Sequence, residues 1–171
     1  MLNNETQFED RLKRLDLDPI LFRLVVAEDG PQWSLNFARE VETWYRRYHI
    51  LFHLHPSEVI VPTKEVDEFW HFHILDTKKY YEDCVLLHGR MVHHFPYLGL
   101  RGNEDQLLLK ELSQRTLNLC TAYFNGSPTE LQNNNNTMQV CGGSCGHGRD
   151  PRITSDRPSV AMISERMAIY N

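Results

Sequence analysis

No stretch of this chain approaches the roughly 18 consecutive apolar residues that cross a bilayer. Its apolar strings are short: Ile20 to Phe22 is cut by Arg23, and Leu24 to Ala27 is closed by Glu28. A transmembrane reading is excluded, and no membrane is expected as a partner. A positive excess is missing too. The 171 residues carry 18 Lys+Arg against 23 Asp+Glu, a net charge of −5, so the basic footprint of a nucleic-acid binder is absent. Cysteine is scarce: Cys84, Cys120, Cys141 and Cys145 are too few to staple a chain of this length. Met1-Leu2-Asn3-Asn4-Glu5 has neither a cationic start nor an apolar centre, so the expected compartment is cytoplasmic, where thiols stay reduced. A glycine-rich phosphate loop and a serine in a nucleophile-elbow context are also lacking in the body.

What is present divides near Asn125. Residues 1–124 hold the whole acidic excess, whereas residues 125–171 balance four acidic against four basic groups and contain a single aromatic residue, Tyr170. The latter stretch includes Gly126-Ser127-Pro128, the run Asn133 to Asn136 and the Cys141-Gly-Gly-Ser-Cys145-Gly-His147 motif. Such a composition buries too little apolar surface to offset ordering entropy, so it is expected to be largely disordered. Its C-x3-C-x-H motif offers three soft ligands, but a closed zinc site normally takes a fourth. An unstructured tether is therefore the expectation for it.

The body reads as an all-α bundle of about five helices. Asn4 with Gln7 and Asn103 with Gln106 resemble capping boxes, and Asp18-Pro19 places proline at the first helical position. A third helix over 33–53 carries Phe37, Val41, Trp44, Tyr45, Tyr48 and Phe52 on one stripe. A fourth over 63–87 carries Val66, Trp70, His73, Thr77, Tyr80, Cys84 and Leu87 at alternating steps of four and three. The fifth, 103–124, buries Leu108, Leu112, Leu119 and Tyr123.

Eight of the nine histidines fall between His49 and His94. Imidazole titrates near neutrality and is the commonest divalent-metal ligand, so the crowding marks a candidate site. Helical phase separates its members. His73 points into the core with Trp70, which suits a buried, neutral, hydrogen-bonded ring. Asp67 and His71 lie one turn apart at the edge of that face, where they can share an ion or form a surface pair. The connection 89–102 holds Met91, Val92, Phe95, Tyr97 and Leu98; a loop this apolar packs on the body and can bring in one of the adjacent His93 and His94. His94 is taken as the inward one. Glu68-Phe69-Trp70-His71 supplies one Glu-x-x-His, but a di-iron bundle needs a second copy that the chain lacks. Cys84 and His88 also stand four apart, although Cys84 sits within the stripe.

Val66-Asp67-Glu68-Phe69-Trp70-His71-Phe72-His73-Ile74-Leu75, then Tyr80-Tyr81-Glu82-Asp83-Cys84 and His93-His94-Phe95-Pro96-Tyr97 with Arg101-Gly102, resemble motifs of the glycine-rich domain-containing protein-like family. The resemblance covers about residues 35–124, and the Cys-Gly tail looks like the ends found in that family. It implies no activity. Two functional readings follow from the residues. In the first, the body is a binding or regulatory module whose pocket, near Trp70, His71, His73, His93, His94 and Arg101, takes a protein or peptide partner or a small ligand. In the second, Asp67, His71 and His94 hold zinc or iron in a metal-dependent enzyme.

Overall fold

The computed structural model describes residues 2–128, 131, 152–153 and 157–159, with side chains described from Thr6 onward. Among the described residues there are six helices and no strand: α1 (Leu2–Lys13), α2 (Asp18–Val26), α3 (Leu35–Leu54), α4 (Lys64–Leu75), α5 (Thr77–His88) and α6 (Asn103–Phe124). The all-α expectation holds, with one helix more than the periodicity suggested.

The additional helix arises at Asp76. Its backbone leaves the helical region (φ −83°, ψ 74°) and its side chain accepts a hydrogen bond from the Lys79 amide, so the expected single helix 63–87 becomes two. Thr77, expected inside, is exposed as a result. Two other starts shift by one residue. Leu17 rather than Asp18 caps α2, with Asp18 accepted as its first residue and Pro19 behind it, and Gly102 (φ 121°) precedes α6 where Asn103 was expected. At α3 Ser34 accepts from the Phe37 amide at 3.2 Å, and that helix ends against Pro56, whose ring disfavours helical geometry in the residue before it.

The core centres on α3, which packs against α2 and α4, while α4 also meets α2 and α5, and α1 lies on α5. Tyr45, Tyr48, Leu51 and Phe52 from α3 meet Val66, Phe69 and Trp70 from α4 and Tyr80, Cys84 and Leu87 from α5. A second cluster, Val59, Val61, Leu98, Leu108, Leu109 and Leu112, joins α6 to the segments on either side of α4 and α5. Arg46 ties α1 to α3, donating to the Leu12 and Leu15 carbonyls at 2.6 and 2.8 Å while held by Glu42.

The 89–102 connection is packed between the two clusters. Val92 is buried in the first and Leu98 in the second, so the chain between them is fixed at both ends. Gly99 (φ 83°) passes close to α6, where a Cβ would sit 2.5 Å from Leu109 Cδ2, and its left-handed backbone favours glycine. The tail motif Cys141, Cys145 and His147 lies outside the described residues. Arg152 and Ile153 do lie on the body: Arg152 pairs with both oxygens of Glu111 at 2.7 and 3.0 Å, and Ile153 packs on the second cluster.

Candidate metal centre

The centre is built at the start of α4. Thr63 takes the N-cap position, and its carbonyl receives the Asp67 amide at 2.8 Å. Asp67 thus stands in the first turn, where the helix dipole favours a carboxylate. His71 follows one turn later on the same ridge. The third member comes from the 89–102 connection. His94, next to Phe95, is then laid edge-on against Trp70, with ring centroids 5.4 Å apart.

His71 Nε2 and His94 Nε2 are 2.8 Å apart. The Asp67 carboxylate lies 3.1 Å from His94 Nε2 through one oxygen and 3.5 Å from His71 Nε2 through the other. Asp67 and His94 are nearly covered, with side-chain exposures of 4% and 9%, whereas the His71 side chain is 50% exposed. The site is therefore closed beneath and open on one side.

Protons alone serve this trio poorly. A neutral imidazole nitrogen carries either a hydrogen or a lone pair. If His94 Nε2 carries the hydrogen, it faces both the carboxylate and the His71 lone pair, which in turn faces a carboxylate oxygen. If both nitrogens carry hydrogens, the two N–H groups collide at 2.8 Å. A cation resolves the conflict because all three atoms then act as donors to it. Bonds of about 2.1 Å to zinc place neighbouring ligands about 3.0 Å apart in octahedral and about 3.4 Å apart in tetrahedral geometry, and the observed separations of 2.8, 3.1 and 3.5 Å span those values.

The remaining candidates are arranged differently. Trp70 is 1% exposed, and its indole N–H donates to Tyr80 Oη at 2.9 Å; the Tyr80 hydroxyl donates to the Val92 carbonyl. Trp70 supports the loop from inside the core. His73 is also 1% exposed. Its Nε2 donates to Asp83 at 3.0 Å, and Nδ1 accepts from the Tyr45 hydroxyl at 2.8 Å. His93 is exposed while His94 turns inward. Arg101 clasps Asp105 at the entrance to α6 and lies over Phe95. It lines a cleft of about 470 Å³ with Glu111 and Arg152, whose charges already hold one another. The pocket expected to gather Trp70, His73, His93 and Arg101 is thus not assembled. Cys84 is buried, and His88 bonds to His49 at 2.9 Å. That long-range pair, with His53 stacked on Phe8 at 4.1 Å, escaped the sequence reading, although His49 lies on the α3 stripe.

The His73–Asp83 pair yields a pH prediction. Burial pushes the Asp83 carboxyl up, but hydrogen bonds and charge from His73 and Lys79 outweigh it and hold the group below its ordinary value. A carboxyl lowered in the folded state contributes stability above the unfolded pKa of about 3.9 and loses that contribution as pH falls through the folded value. Asp83→Asn should therefore be less stable than the parent at about pH 6, with the gap narrowing toward about pH 3. Urea melts across that range measure it; a constant gap would contradict the assignment.

A family model, UCP032817-like, matches residues 8–121. No curated protein matches the chain, and no solved structure does. The resemblance to the glycine-rich domain-containing protein-like family is corrected by this match, which runs from α1 almost to the end of α6 instead of following the motif blocks and the tail. Covering two thirds of the sequence, it shows that the chain belongs to the UCP032817-like family.

Proposed function

We propose that this protein is a metal-dependent ligand-binding module, holding one zinc or ferrous ion through Asp67, His71 and His94. The observation that carries the reading is the convergence of His71 Nε2, His94 Nε2 and the Asp67 carboxylate at 2.8, 3.1 and 3.5 Å, a spacing that suits three ligands around one ion. Two histidines and one carboxylate leave a fourth position on zinc, or several on ferrous iron. With Asp67 and His94 covered, the free positions lie on the solvent side beside His71. The metal when bound supplies Lewis acidity to a water or a small ligand there.

Other features accord with this setting. No helix among the described residues is long and apolar enough to cross a membrane, and the free thiols of Cys84 and Cys120 suit a reducing, cytoplasmic location. The family match ends at residue 121, which supports a body boundary near residue 125. A peptide-binding aromatic pocket has less support, because Trp70 and His73 spend their polar atoms inside the core.

The test is element analysis of untagged full-length protein, followed by titration with zinc and with ferrous iron under anaerobic conditions. Cys141→Ser with Cys145→Ser removes the tail thiols, so that thiolate-bound zinc is discounted. One ion per chain should remain, and His71→Ala and His94→Ala should each lose it. Metal-free protein that takes up neither ion would overturn the proposal.

A further inference from the structure

A second cluster of basic groups stands apart from the metal centre. The last turns of α1, α3 and α5 meet around a cleft of about 350 Å³, a volume within the range of small-molecule sites. Arg11, His53, His88 and Arg90 supply its polar lining, and Phe52 and Leu87 are among its apolar walls. None of its described lining residues is acidic.

We propose that this cleft binds the oxyanion end of a small molecule, a phosphate or carboxylate group carried on an apolar body. The Arg11 guanidinium is the leading observation. Its Nε is buried and has no hydrogen-bond partner, and among the described residues neither Arg11 nor Arg90 forms an ion pair. Two guanidinium groups that line one cleft without a counter-charge call for an anion, and an oxyanion is the acceptor that guanidinium geometry fits best. The apolar wall then receives whatever carries the anion.

Basic residues at helix C-termini have another common origin, since they offset the negative ends of helix dipoles. That origin accounts for the placement of Arg11, His53 and His88 but not for Arg90. The carbonyls at the end of α1 already have a direct donor in Arg46, which bonds to Leu12 and Leu15 at 2.6 and 2.8 Å. The Arg11 Nε donates to nothing, and Gly89 closes α5 with its own amide on the Val85 carbonyl at 2.9 Å. Arg90 lies beyond that cap, exposed at the mouth of the cleft.

The experiment is calorimetric titration of metal-stripped full-length protein with phenyl phosphate and, separately, with benzoate, at constant ionic strength in chloride. Removing the metal keeps the anions from binding at Asp67, His71 and His94, so the result is independent of that proposal. Saturable binding is expected for at least one probe, and which one binds distinguishes a phosphate from a carboxylate site. Arg90→Ala and Arg11→Gln should each weaken it by about tenfold or more, the loss of one charge-assisted contact. Lys110→Ala, which removes an exposed positive charge from α6, should leave the affinity unchanged. Because Arg90 is exposed, its variant tests the site even where Arg11→Gln disturbs the fold. Absence of saturable binding for both probes, or binding indifferent to Arg90→Ala, would overturn the inference.

Discussion

Trp70→Ala is expected to cost about 3–5 kcal/mol of folding stability, much of the roughly 5–15 kcal/mol that holds a typical domain together. The ring is 1% exposed and packs against Phe52 of α3 at a centroid distance of 5.5 Å. Alanine would leave a cavity where helix α4 meets α3, and would strip Tyr80 of the indole donor that orients its hydroxyl toward the Val92 carbonyl. Val92 anchors one end of the 89–102 connection, so the damage reaches His94. Trp70→Phe separates the two effects: it keeps most of the volume and loses the N–H, at about 0.5–1.5 kcal/mol. Denaturant titration of both variants reads the energies. A Trp70→Ala protein melting within a few degrees of the parent would show that the ring does not carry this junction.

The burial of Trp70 was legible because helical phase is local. Val66, Trp70 and His73 recur at the helical period, and that period decides which side faces the core. The break after Leu75 was hidden by the same regularity. A single non-helical residue, Asp76, leaves the three-four rhythm of apolar positions intact, so Tyr80, Cys84 and Leu87 still read as a continuation. The missed signal was chemical: an aspartate whose side chain can cap the amide three residues on, and an exposed Leu75 just before it. The lateral partners of each helix, such as His88 for His49, depend on contacts across 39 residues that no short-range pattern encodes.

The site shows the same division. Asp67 and His71 follow from one-turn spacing, whereas choosing between His93 and His94 needs the loop's direction. Buried Val92, exposed His93 and largely covered His94 alternate as in an extended segment, a period of two that the flanking helices obscured. Arg101 is grouped with the histidines through the motif in which His93-His94-Phe95-Pro96-Tyr97 precedes Arg101-Gly102. In the folded protein its spacing of four to Asp105 matters more, for both its amide and its guanidinium bond to that carboxylate. Burial raises the Asp105 carboxyl, but Arg101 prevails and lowers it, so this pair serves the entrance to α6.

Asp67→Asn should separate binding from stability more cleanly than any other change. The amide has nearly the size of the carboxylate but no charge, so metal affinity should fall by more than about 100-fold, beyond the 10–100-fold that losing an outer hydrogen-bond partner costs. Stability of the metal-free protein should move the other way or not at all. Without an ion, Asp67, His71 and His94 bring three potential lone-pair atoms to within 2.8 to 3.5 Å of one another. An asparagine brings two N–H donors to that same place, which under the proposed metal role stabilises the ion-free form. Were Asp67 instead a structural partner of the two imidazoles, the same substitution would lower the melting temperature of the metal-free protein and leave metal content untouched. Melting curves of the stripped parent and variant, paired with zinc titrations, distinguish these opposite outcomes.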